Sequence, residues 1–115
     1  MLCTVAEMPE YMRRASGLLS EEERKAVINH LAAHTNDGVL MTGTGGIRKL
    51  RWGRSGQGKS GGVRVIYYYH DGRLPLYLLT LFGKNEQPNL SKAQRNDLAK
   101  LVELLVRIGL EKRND

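Results

Sequence analysis

The 115-residue chain contains one cysteine, Cys3, so no disulfide can form within it. Three histidines and that cysteine are scattered along the chain and form no recognisable zinc-ligand spacing. No apolar run approaches the roughly 18 residues that a membrane span needs. The N-terminus has no basic segment followed by an apolar core, so it does not read as a signal peptide. These absences predict a soluble cytoplasmic protein with no membrane partner. The most informative absence is local: from Gly38 to His70 there is no acidic residue. The same stretch carries Arg48, Lys49, Arg51, Arg54, Lys59 and Arg64. Those six supply the whole net charge of +6, because the other 12 basic residues (18 − 6) balance the 12 acidic ones. A concentrated positive block favours an anionic partner such as nucleic acid, although a solvated basic face would carry the same charges.

The patterning predicts a single domain over residues 1–115 with one modest core. Leu2 to Val5 suits a short strand, and Pro9 to Ala15 a turn or two of helix. Ser20 with Glu23 forms a capping box, and the acidic first turn suits the helix dipole. Asn36-Asp37-Gly38 ends that helix. After Val39 to Met41 and the glycine-rich Gly43 to Gly46, Ile47 to Trp52 reads as a strand, with Leu50 and Trp52 on one face and Lys49 and Arg51 on the other. Gly53 to Gly62, with five glycines, reads as a flexible loop. Val63 to Tyr69 is a β-branched and aromatic strand, Asp71-Gly72 a hairpin turn, and Leu74 to Phe82 the returning strand. Ser91 and Gln94 form a second capping box, ahead of a helix to about Ile108 with Leu98, Leu101, Val102, Leu105 and Ile108 as its stripe. The predicted class is α+β: a small curved antiparallel sheet packed with N-terminal helices and a C-terminal helix.

One motif is misleading. Gly53 to Ser60 matches the nucleotide-binding pattern G-x-x-x-x-G-K-S. That loop works only between a strand and a helix, whose N-terminus and amides cradle the phosphates. Here Gly61-Gly62 and a β-rich run come next, so no nucleotide cofactor is expected. Arg54 and Lys59 remain candidate phosphate contacts.

Three blocks together carry a family resemblance: Gly43 to Trp52, Gly58 to Tyr68, and Tyr77 to Glu86 followed by a helix. In this order they resemble the RelE superfamily of toxins, in the branch labelled HigB-like, over most of the chain from Ser20 onward. The resemblance implies a toxin of a type II toxin–antitoxin system that cleaves messenger RNA in the ribosomal A site. It also implies a cognate antitoxin, a helix-turn-helix protein of HigA-like type, and contact with ribosome and mRNA. Cleaving RNA through its own 2′-hydroxyl requires activating that hydroxyl, countering charge on the phosphate and protonating the leaving oxygen. By resemblance, Arg64 stabilises the phosphate transition state, Lys49 is the candidate general base and Arg51 a phosphate ligand. Lys84 matches the basic element beside the family's site. Arg48, on the opposite face, is a weaker phosphate contact. Two positions depart from RelE itself: Asn85 stands where a second cation follows the lysine, and Pro88-Asn89-Leu90-Ser91 holds no tyrosine. The leaving-group acid then falls to Lys84 or His70. Tyr67, Tyr68, Tyr69 and Trp52 read more simply as core than as base-stacking platforms.

Two other functions fit the same residues less closely. One is a ParE-like inhibitor of DNA gyrase on the same fold; the other is a non-catalytic nucleic-acid-binding module. Neither requires a phosphate-cleaving group of cations.

Overall fold

The computed structural model describes residues 2–54 and 58–113, with side chains for all of these except 54, 58–61 and 113. The elements are β1 (Val5–Glu7), α1 (Pro9–Leu18), α2 (Glu21–Ala33), β2 (Val39–Leu40), β3 (Arg48–Arg54), β4 (Gly58–Tyr68), β5 (Leu76–Gly83) and α3 (Lys92–Arg113). Pro9 starts α1 with its φ already helical. Ser20 starts α2 as expected: its hydroxyl accepts the Glu23 N–H at 3.1 Å, and the Glu23 carboxylate accepts the Ser20 N–H at 2.9 Å.

The strands form one sheet in the order β1-β5-β4-β3-β2. Every pairing is antiparallel except β1 with β5, which is parallel and sets Val5 beside Leu76. The class is α+β as expected, with two corrections. The first strand forms at Val5–Glu7 rather than Leu2 to Val5, and its parallel pairing makes the sheet mixed. A three-residue strand has too few side chains to announce itself; its partner lies some seventy residues on.

The sheet is covered on both faces. On one, Tyr11, Ala15 and Leu19 from α1 and its end, with Val27 and Leu31 from α2, pack on Leu50, Val63, Val65, Tyr67, Leu76, Leu78 and Leu81. On the other, Ile47, Ile66, Tyr68, Leu79 and Phe82 meet Leu90 and Val102, with Leu98, Leu101, Leu105 and Val106 partly buried beside them. Along β4, Val63, Val65 and Tyr67 therefore face α1 and α2, while Arg64, Ile66 and Tyr68 face α3. On β5 the alternation breaks once. Tyr67 pairs with Leu78 and Ile66 with Thr80, so Leu79 is the extra residue of a bulge.

The expected glycine loop is shorter than its sequence suggests. Strand β3 continues to Arg54, β4 begins at Gly58, and the two residues pair. A side chain at Gly62 would place its Cβ 2.3 Å from the Trp52 carbonyl oxygen, so glycine here permits close backbone approach. The G-x-x-x-x-G-K-S motif leads into a strand, which removes the helix that nucleotide binding would need. Among the described residues no helix is long and apolar enough to cross a membrane.

Candidate active site

Arg51 and Arg64 lie directly opposite each other across β3 and β4, and Lys49 lies opposite Ile66. Directly opposed residues in an antiparallel pair share a face. Lys49, Arg51 and Arg64 therefore stand together on the α3 side of the sheet. Two like charges in direct opposition are unfavourable unless an anion joins them. No carboxylate does so among the described residues, whose ion pairs engage other cations.

Arg64 is the centre of this arrangement. It is 6 % exposed, and among the described residues its one hydrogen bond is a long 3.5 Å contact from Nη1 to the neighbouring Val63 carbonyl. Burial, reinforced by the Arg51 cation, pulls its pKa below the ordinary arginine value. The Arg64 side chain is nearly but not wholly closed off from solvent. A buried cation that lacks a carboxylate yet can be reached from outside is arranged to receive an anion.

Lys49 donates from Nζ to Asn89 Oδ1 at 2.8 Å. Both line a cleft of ≈ 280 Å³ with Leu40, Thr42, Leu90 and Arg95. The segment carrying Asn89 is held at the start of α3. There the Ser91 hydroxyl accepts the Gln94 N–H at 3.1 Å, the Gln94 side-chain oxygen accepts the Ser91 N–H at 2.8 Å, and Gln87 Nε2 donates to the Asn89 carbonyl at 2.8 Å. The second capping box thus forms as the sequence suggests. The placement of Asn89 and Arg95 at Lys49 was not visible in the sequence, because neither lies near Lys49 in the chain.

Lys84 is exposed one residue beyond β5, and its N–H donates to the Gly62 carbonyl at 3.1 Å, extending the ladder. Phe82 pairs with Arg64 on the α3 side, while Gly83 faces Leu18 of α1. Lys84 opens the turn that follows. The strands thus bring Lys49, Arg51 and Arg64 to one face, and Lys84 follows at the end of β5, the strand that pairs with the one carrying Arg64.

The remaining candidates separate from this group. Arg48 lies on the other face and donates to the Asn36 and Gly38 carbonyls at 3.2 and 2.8 Å, which ties down the loop between α2 and β2. The side chains of Arg54 and Lys59 lie outside the described residues. His70 sits past the far end of β4, about 20 Å along the strand direction from Arg64. Its Nδ1 meets Tyr68 Oη at 3.0 Å, and Asp71 and Arg73 adjoin its Nε2. That distance removes His70 as the leaving-group acid. Tyr67 is fully buried, accepting the Gly38 N–H at 2.8 Å and donating to the Thr35 carbonyl at 2.9 Å. Trp52 packs at the edge of the first core against His30. Tyr68 is buried, and Tyr69 packs partly buried against the α1–α2 core. Among the described residues no group of three or more His, Cys, Asp or Glu is placed to hold a metal ion.

Known proteins share both the sequence pattern and the fold. A family model described as the RelE toxin of the RelE/RelB toxin–antitoxin system matches residues 10–113. The fold is similar to a solved structure of the E. coli toxin RelE, a double arginine-to-alanine mutant in the free state. The TM-score is 0.55 at 14% sequence identity, covering 76% of this chain and 90% of that one.

Proposed function

The chain belongs to the RelE toxin family of toxin–antitoxin systems, and on that premise we propose that it cuts messenger RNA in the A site of the ribosome. The observation that carries this reading is Arg64, buried, without a carboxylate partner among the described residues and opposed by Arg51. A structural arginine would be paired; a phosphate ligand is left open for its substrate.

In the proposed reaction the ribose 2′-oxygen attacks the adjacent phosphorus. The new O2′–P bond gives a 2′,3′-cyclic phosphate as the P–O5′ bond breaks. Lys49 takes the 2′-hydroxyl proton on its Nζ. Arg64 and Arg51 counter the charge that builds on the non-bridging oxygens, where preorganised donors contribute most. Lys84 gives a proton to the departing 5′-oxygen, a role that His70 is too distant to take. Membership of a toxin–antitoxin family brings an antitoxin partner; a helix-turn-helix antitoxin of HigA-like type is part of this proposal. So is work in the cytoplasm, where the ribosomes are.

The test is primer extension on a message translated in a ribosome-containing reaction. The wild-type protein is expected to cut inside codons. Arg64→Ala should lose cleavage by about 10²-fold or more and no longer arrest growth, with its urea midpoint showing a folded chain. Loss of supercoiling without cuts would favour gyrase inhibition instead. An Arg64→Ala protein as toxic as wild type would remove the catalytic assignment.

A further inference from the structure

We propose that Arg14 and Glu86 form a clamp that positions Lys84 for the cleavage step. The clamp rests on the role proposed for Lys84 in protonating the leaving oxygen. Arg14 leaves α1 half-buried, with its Nε donating to the Leu81 carbonyl of β5 at 2.6 Å and its Nη2 paired with Glu86 Oε2. The other Glu86 carboxylate oxygen accepts the Gly83 N–H at 3.4 Å. The Gly83 carbonyl in turn accepts the N–H of Glu86 at 3.0 Å and of Gln87 at 3.3 Å. The turn bearing Lys84 is thus closed on itself by Glu86 and fastened to α1 through Arg14. Lys84 contributes its own N–H to the Gly62 carbonyl of β4. Its backbone is held on two sides while its side chain stays exposed.

Two features separate this pair from an ordinary surface ion pair, which adds little. Arg14 engages two partners through the fork of one guanidinium, an arrangement that lysine cannot reproduce. Glu86 also divides its two oxygens between the arginine and the turn it closes. Arg14, followed by the Gly83 N–H, holds the Glu86 carboxyl below the usual carboxylate range. Arg14 comes from α1, which covers the opposite side of the sheet from the cations of the site. The effect of the pair passes through Lys84, which makes Arg14 and Glu86 positioning residues. A displacement of about 1 Å in a reacting group can cost about 10²-fold in rate, so holding this turn bears on the chemical step more than on substrate affinity.

The experiment is single-turnover cleavage on programmed ribosomes, with the rate constant and ribosome affinity measured separately. Glu86→Gln and Arg14→Gln should each slow cleavage about 10-fold or more and leave affinity within about twofold. Arg14→Lys should restore little of the rate, because an ammonium cannot span both acceptors. Either substitution added to Lys84→Ala should cause no further loss, since both act through that lysine. Urea midpoints identify any variant whose loss comes from unfolding; for such a variant the rate is compared at a temperature where it is fully folded. Wild-type rates for both single variants would overturn the clamp, as would losses that multiply in the Lys84→Ala background. A wild-type protein that does not cut, or a fully active Lys84→Ala, would instead remove the functional reading and this inference with it.

Discussion

At the scale of single residues, Arg64 sets function against stability. A buried cation opposite another cation works against folding, because neither burial nor its neighbour favours the charge. Arg64→Met keeps the bulk and removes the charge. It should add about 1 kcal/mol or more to the stability, read as a higher urea midpoint, while abolishing cleavage; a lower midpoint would mean that the arginine is structural after all. Tyr67 gives the opposite case. Its hydroxyl joins the Gly38 N–H to the Thr35 carbonyl inside the first core. Tyr67→Phe should cost about 1–3 kcal/mol of stability, the range for leaving buried polar groups unpaired, with cleavage intact in the folded fraction. Arg51 and Lys49 were readable in the sequence because strand alternation alone puts them on one face. Asn89, Arg95, Arg14 and Glu86 were not, because their placement depends on contacts between distant segments. Arg14 meets Glu86 across 72 positions, and nothing in either local sequence names the other.

At the scale of elements, what the sequence revealed and what it hid divide by the range of the interaction involved. Both capping boxes are satisfied within four residues and were visible as Ser20 with Glu23 and Ser91 with Gln94. The apolar stripe of α3 and the β-branched run of β4 were equally local signals. The parallel pairing of β1 and the bulge at Leu79 arise from sheet assembly. Alternation along β4 puts Arg64, Ile66 and Tyr68 on one face, and burial of the sheet on both sides explains why apolar residues share that face with an arginine. The glycines from Gly53 to Gly62 read as flexibility, yet Gly62 serves close strand packing. Gly62→Ala drives a Cβ into the Trp52 carbonyl, one residue from Arg51 on one strand and two from Arg64 on the other. It should lower both the melting temperature and the cleavage rate, whereas Ser20→Ala should cost about 1 kcal/mol and leave the rate of the folded protein unchanged. Equal rates for the two variants would show that the β3–β4 spacing does not matter to the site.

At the scale of the whole molecule, the sheet is an inner layer between α1 and α2 on one side and α3 on the other, and its buried tyrosines tie stability to alkaline pH. Tyr11 is wholly buried, and its hydroxyl is the one without a partner among the described residues. Burial, then the nearby Glu7 carboxylate, pushes its pKa up to about 12, against a partial offset from Arg24. Burial also raises Tyr67, Tyr68 and Tyr77. A phenol with a raised folded-state pKa holds its proton more tightly in the folded chain than in the unfolded one. The associated stability is complete below the unfolded value near 10 and is lost as pH climbs toward 12. Two units at Tyr11 correspond to about 3 kcal/mol, a large share of what a domain of this size commands. The urea midpoint should therefore stay level from neutral pH to about 10 and then drop steeply. Tyr11→Phe removes the ionisable group and an unpaired buried hydroxyl together. It should match or exceed wild-type stability at neutral pH and shift the alkaline drop upward. The same alkaline profile in wild type and Tyr11→Phe would place the sensitivity in the other three tyrosines, on β4 and β5, rather than in the packing of α1 against the sheet.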